Sequence, residues 1–214
     1  MLIVFDVDGV LVDIDSSWST ILRYFGIKCT PNMLPYLLGK IGYQEFMRLD
    51  IRLWKSDNTP VSIDLIKKVL GGVKLHPKAK LIVNKLKKLG HEIALLSSGI
   101  DILVKRVAKE LNIDHYLANE LVVRDNKVID GLSRVPLLDK HLILKLWAKQ
   151  LGYSLSSTVY VGDSIFDIPV FRIVRLSIAI VDSEATAHRM RKYVTYVVER
   201  DRLEEILEIP EIGR

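Results

Sequence analysis

The sequence predicts an α/β protein in which a doubly wound parallel sheet forms the core and a small helical segment is inserted after the first strand. Three observations predict it. Short apolar runs without polar alternation recur along the chain, which suits strands covered on both faces. Helical patterns separate most of these runs, as right-handed crossovers between parallel strands require. One stretch, residues 16–75, breaks the alternation with helical patterns alone.

The elements follow in order. LIVFD (2–6) reads as the first strand. WSTILRYFG, MLPYLLGKIGYQEFMRLDIRLW and SIDLIKKVLGG then read as three or four helices with no strand between them. This divides the chain into a core, 1–15 and 76–214, and a helical cap, 16–75. PKAKLIVNKLKKL (77–89) has helical periodicity and stops at Gly90, a C-terminal cap. EIALLS (92–97) is the next strand, and Ile102 to Leu111 the next helix. ELVVRDNKVIDG (120–131) reads as two short strands around an Asp-Asn turn. Leu137 to Leu151 is helical up to Gly152, and TVYVGD (158–163) and LSIAIV (176–181) are strands.

Composition narrows the possibilities. The 214 residues are 49% hydrophobic, enough for a full core. No apolar run approaches the roughly 18 residues of a membrane span. MLIVF carries no basic region ahead of it, so a secretory signal is not expected. The single cysteine, Cys29, permits neither an internal disulfide nor a cysteine metal cluster. A soluble, cytoplasmic protein without a membrane partner is expected. The net charge of +5 comes from lysines and arginines scattered along helices, with no aromatic-interleaved basic block. No nucleic-acid partner is therefore expected, and a small anionic substrate accounts for the charge as well.

Ligands of open α/β sheets bind outside the carboxyl ends of the strands. The first strand delivers Asp6 and Asp8 there, EIALLS delivers Ser97, Ser98 and Gly99, and TVYVGD delivers Gly162 and Asp163, with Asp167 a turn later. If these strands are neighbours, carboxylates, hydroxyls and a glycine turn converge. Such hard oxygen ligands suit Mg²⁺, which binds through one or two carboxylates plus a substrate phosphate. Taken alone, Asp163 also suits a helix N-cap, and Asp167 a first-turn aspartate facing the helix dipole. A calcium-loop reading of DVDGVLVDIDSS fails because its sixth position is Leu11 rather than glycine.

DVDGV, LLSSG, Lys140 and GDSIFD, in that order, resemble the four motifs of the haloacid dehalogenase superfamily of aspartyl phosphatases, with their Rossmann-like core. The helical insert between the first two motifs resembles the phosphoserine phosphatase branch. The resemblance implies that Asp6 is the nucleophile, forming an aspartyl-phosphate, and that Asp8 is the general acid and then base. It implies that Mg²⁺ is held by Asp6, the Asp8 backbone carbonyl and Asp163, with Asp167 in support. Ser97, Ser98, Gly99 and Lys140 would hold the phosphate. Asp15 and Arg48 would grip the amine and carboxylate of a phosphoserine-like substrate.

Three departures from the family pattern bear on the substrate. Asp15 stands where the branch has Glu, Ser98 replaces a glycine, and Phe166 stands where Asn is common. The substrate expected is a small phosphorylated metabolite, phosphoserine favoured. Another phosphatase substrate (phosphoglycolate or a sugar phosphate), a phosphomutase, and a non-catalytic phosphoryl-binding protein remain as alternatives.

Overall fold

Along the chain, β1 (Leu2–Phe5) is followed by helices α1 (Ser17–Tyr24), α2 (Met33–Leu37) and α3 (Tyr43–Leu53). A short hairpin, β2 (Lys55–Ser56) and β3 (Thr59–Pro60), precedes α4 (Ile63–Gly71). Then α5 (Ala79–Lys88) leads to β4 (Glu92–Ile100), and α6 (Asp101–Glu110) to β5 (His115–Arg124) and β6 (Lys127–Leu132). Finally α7 (Lys140–Gln150) leads to β7 (Thr158–Gly162), α8 (Ile168–Phe171) to β8 (Leu176–Val181), and α9 (Glu184–Met190) to β9 (Tyr196–Glu199). The structure is a computed structural model describing residues 1–56 and 59–213.

Seven strands form one sheet in the order β6-β5-β4-β1-β7-β8-β9. All neighbours are parallel except β5 and β6. The central strand β1 is fully buried and alternates between the two faces. Ile3 and Phe5 join one apolar cluster, Leu2 and Val4 the other. Burying each such side chain stabilises the fold by about 1.5–3 kcal/mol, which is why unalternating apolar runs mark the inner strands. The helices are held to the sheet by the same logic. In α5 the buried stripe is Ala79, Ile82, Val83 and Leu86, while Lys85, Lys87 and Lys88 lie in the last turn and complement the helix dipole.

The four strand segments read from sequence all lie in this sheet. The Asp125–Asn126 turn has both residues at positive φ (48° and 61°), the geometry a two-residue hairpin requires. Two elements differ from expectation. The 16–75 segment, expected to hold no strand, contains the β2–β3 hairpin, whose two-residue strands are too short to show periodicity. Asp57 and Asn58, within that segment, lie outside the described residues. The edge strand β9 follows LSIAIV unannounced: only Val198 of its four residues is buried, so it lacks the continuous apolar run of the inner strands. No helix among the described residues is long and apolar enough to cross a membrane.

Candidate active site

The site forms where β1, β4 and β7 end side by side. Asp6 continues the ladder one residue past β1, its N–H donating to the Val161 carbonyl at 2.9 Å. The chain then folds tightly, with the N–H groups of Val10, Leu11 and Val12 all directed at the Val7 carbonyl. Gly9 makes this possible. Its φ is +74°, and a Cβ there would come within 1.9 Å of the Asp163 Oδ2. The carboxylates of the first and fourth motifs can approach each other only because that side chain is missing.

Asp6 is buried and held from two sides, its Oδ1 by the Val7 N–H at 2.6 Å and its Oδ2 by the Lys140 ammonium at 2.5 Å. Lys140, 2% exposed, also donates to Asp167 Oδ1 at 2.7 Å and to the Tyr160 hydroxyl at 3.2 Å. Tyr160 in turn donates to Asp167 Oδ1 at 2.9 Å. Burial works against the charge on Lys140, but Asp167 and Asp6 outweigh it and hold its pKa well above the usual lysine value. Burial raises the pKa of Asp6, opposed mainly by Lys140.

Asp8 is placed differently. Its Oδ2 accepts from the N–H and hydroxyl of Ser17, at 2.6 and 2.7 Å, at the start of α1. Its Oδ1 is buried with no partner. Burial, against the two Ser17 bonds, pushes the Asp8 pKa up to about 6. A carboxyl that exchanges its proton near pH 6 beside one that is pinned by a lysine is a division of labour suited to acid catalysis.

On the β4 side, Ser97 Oγ accepts from the Gly99 N–H at 3.1 Å, and the Ile100 N–H donates to Ser17 Oγ at 2.9 Å. The Gly99 and Ile100 N–H groups are therefore already engaged within the protein. Ser98 is the group left open: its buried Oγ has no partner, while its carbonyl accepts from Trp18, Tyr43 and Asn119. Gly99 is again a spatial necessity, since a Cβ would lie 2.7 Å from Asp8 Oδ2 and from Ser17 Oγ.

Ser164, not Asp163, caps the turn at Ile165–Asp167, and Asp167 closes a capping box by accepting from the Ser164 N–H at 3.1 Å. Asp167 is thus consumed in holding Lys140, Tyr160 and the turn. Among the described residues the charged partner of Asp163 is Arg200, at 3.9 Å. Burial, then the charges of Asp167 and Asp6, hold its pKa well above the usual carboxylate range.

Asp6, Asp163 and Asp167 offer oxygens within 4.8 Å of one another. Three close carboxylates against one lysine leave an excess of negative charge in an oxygen-only donor set. That fits a hard divalent cation such as Mg²⁺.

Asp6, Asp8, Ser97, Ser98, Gly99, Lys140 and Asp163 line one cavity of about 470 Å³, with Asp15, Ser16, Trp18, Leu22, Met33, Tyr43, Phe46, Asp50, Leu137, Ile165 and Phe166 among the other residues of its wall. Asp15 lies at the mouth, mostly exposed and 3.5 Å from Arg23. Arg48 is not brought to the cavity. Its guanidinium donates to Glu45 at 2.8 Å and to Asp130 on β6 at 3.2 Å, carboxylates that face it from outside. The expected pairing of Arg48 with a substrate carboxylate therefore lacks the geometry.

Sequence reasoning missed Ser17, Tyr160 and Asp50. Tyr160 leaves no signal beyond its place in a strand. Asp50 does leave one: it occupies the eighth position of a buried i, i+3, i+4, i+7, i+8 stripe (Tyr43, Phe46, Met47, Asp50, Ile51) on α3.

Comparison with known proteins gives the family. The profile of the haloacid dehalogenase-like hydrolases matches residues 3–172, and the chain belongs to that family. It is a phosphatase of the phosphoserine phosphatase-like kind. It is 30% identical over 185 residues to the phosphoserine phosphatase of Methanocaldococcus jannaschii, covering 83% of this chain and 84% of that one. With the phosphoserine phosphatase of Lactococcus lactis it shares 27% identity over 213 residues, 97% of this chain and 94% of that one. A solved structure described as a phospho-aspartyl intermediate analogue of phosphoserine phosphatase superimposes with a TM-score of 0.79 at 28% identity, covering 97% of both chains.

Proposed function

We propose that the protein is a Mg²⁺-dependent phosphomonoester hydrolase that works through an aspartyl-phosphate intermediate on a small metabolite. The observation that carries this is the asymmetry of the two first-motif carboxylates. Asp6 is fixed by Lys140 and the Val7 N–H, while Asp8 keeps one oxygen without a partner and a pKa near 6.

In the proposed reaction an Asp6 oxygen attacks phosphorus as the P–O bond to the leaving group breaks. Lys140 keeps Asp6 oriented, and its charge also offsets that of the incoming phosphate. Asp8 delivers its proton to the departing alkoxide, then takes a proton from the water that hydrolyses the acyl phosphate. The Ser97 and Ser98 hydroxyls donate to phosphate oxygens beside Gly99. Mg²⁺ would be held by Asp6, the Asp8 carbonyl and Asp163, with Asp167 in support through Lys140. When bound it neutralises charge between carboxylate and phosphate. Residues 16–75 act as a cap: Trp18, Leu22, Met33, Tyr43 and Phe46 roof the cavity and limit water.

O-Phosphoserine, the substrate in the relatives' names, is the first compound to assay. Rapid acid quench with ³²P-labelled substrate and Mg²⁺ should trap phosphoenzyme in the native protein. Asp6→Asn should give neither phosphoenzyme nor phosphate release while keeping its fold, since Asp167 still pairs Lys140. Turnover by that variant would refute the covalent route.

A further inference from the structure

The chemistry above leaves one buried carboxylate of the cavity unused. Asp50 on α3 lines the cavity and is wholly buried. Its Oδ1 accepts from the Thr30 hydroxyl and from Asn32 Nδ2, the latter at 2.8 Å. Its Oδ2 has no partner. A buried carboxylate oxygen without a donor is costly, and beside a ligand cavity it is placed to receive one. Burial raises the pKa of Asp50, the expected consequence of a charge that nothing balances.

The surroundings define the chemistry of that donor. Lys140 is the only lysine or arginine among the described residues that line the cavity, and Asp6, Asp167 and Tyr160 hold it. Arg48 is turned to Glu45 and Asp130. Among the described residues that line the cavity no unpaired cation is left for a substrate carboxylate, whereas Asp50 and, at the mouth, Asp15 are both carboxyl groups. Trp18, Tyr43 and Phe46 line the same space, and aromatic faces attract ammonium groups.

We propose that Asp50 selects the leaving group: its unpartnered oxygen receives the primary ammonium of an amino-alcohol phosphate that carries no carboxylate. This rests on the phosphatase function proposed above and names its substrate class. Asp50 is then a specificity residue, distinct from the acid and the nucleophile.

The test compares four compounds with the full chain and Mg²⁺: 2-aminoethyl phosphate, propyl phosphate (the same length without charge), O-phosphoserine and p-nitrophenyl phosphate. The native protein should favour 2-aminoethyl over propyl phosphate in kcat/KM by at least about 30-fold, the effect of one desolvated charge pair. It should also favour it over O-phosphoserine, whose carboxylate finds no partner. In Asp50→Asn, which keeps the size and an oxygen for Thr30 and Asn32, the 2-aminoethyl to propyl ratio should collapse to within about threefold, mainly through KM.

A native ratio near one, a preference for O-phosphoserine, or an undiminished ratio in a folded Asp50→Asn would each overturn the proposal. If that variant does not fold, the native ratios decide alone. Failure to hydrolyse any of the four, p-nitrophenyl phosphate included, would instead overturn the phosphatase function itself, and the specificity proposal with it.

Discussion

Replacing Lys140 by methionine removes the one cation from a cluster that holds Asp6 at 2.5 Å and Asp167 at 2.7 Å, all nearly inaccessible to solvent. The chain length is kept, so packing changes little and the loss is electrostatic. Deleting one partner of a buried ion pair destabilises by about 3–5 kcal/mol, because the remaining charge stays buried and uncompensated. For a domain of this size that corresponds to a fall in Tm of roughly 6–20 °C.

The deficit should depend on pH. Lys140 opposes the burial that raises the Asp6 pKa, and it also lowers those of Asp8 and Asp163. Without it, these carboxyls rise further in the folded state. A raised carboxyl pKa contributes stability that is present below the unfolded value, about 3.9, and lost as pH rises through the folded value. The variant should therefore come close to the native protein near pH 4–5 and fall well below it by pH 8. Thermal melts followed by circular dichroism in chelator at both pH values measure this directly. Equal Tm values at pH 8, or a deficit of the same size at both, would refute the view that Lys140 compensates buried carboxylates.

Asp8 must be protonated to act as an acid, so kcat/KM for alkyl phosphates should fall as pH rises above about 6, the pKa its burial sets. Aryl phosphates, whose leaving groups need little protonation, should show a much flatter profile. Asp8→Asn should accordingly impair alkyl substrates about 100-fold more than aryl ones, and equal impairment would move the acid elsewhere. Excess chelator should abolish turnover, Mg²⁺ should restore it and Ca²⁺ should not, because Ca²⁺ takes more ligands at longer distances and misplaces Asp6; full activity in chelator would exclude the carboxylate cluster as a metal site.

The parts of the fold and site that were legible in the sequence are those set by local pattern. Inner strands are apolar throughout because both faces are covered, and their ends carry Asp6, Ser97 and Asp163 because ligand chemistry belongs where the sheet stops. The edge strand β9 and the β2–β3 hairpin were not legible, since neither is long enough nor buried enough to carry a period. Ser17 and Tyr160 escaped for a different reason. Each earns its place through a partner far along the chain, Asp8 nine residues before Ser17 and Lys140 twenty before Tyr160, which no window of sequence reports.

Arg48 and Asp50 show how a motif can mislead where periodicity would not. They stand two residues apart on α3, about 200° around the helix axis, so one cannot face the cavity if the other does. The buried stripe Tyr43, Phe46, Met47 and Ile51 includes Asp50 and excludes Arg48. Arg48, on the other side, finds Glu45 one turn back and Asp130 on β6. The family resemblance points to Arg48 for a substrate carboxylate, yet its side chain lies outside the cavity wall and is paired with Glu45 and Asp130. The same geometry puts an acid on the wall where the cation was expected, and that reversal of sign is what the choice between 2-aminoethyl phosphate and O-phosphoserine measures.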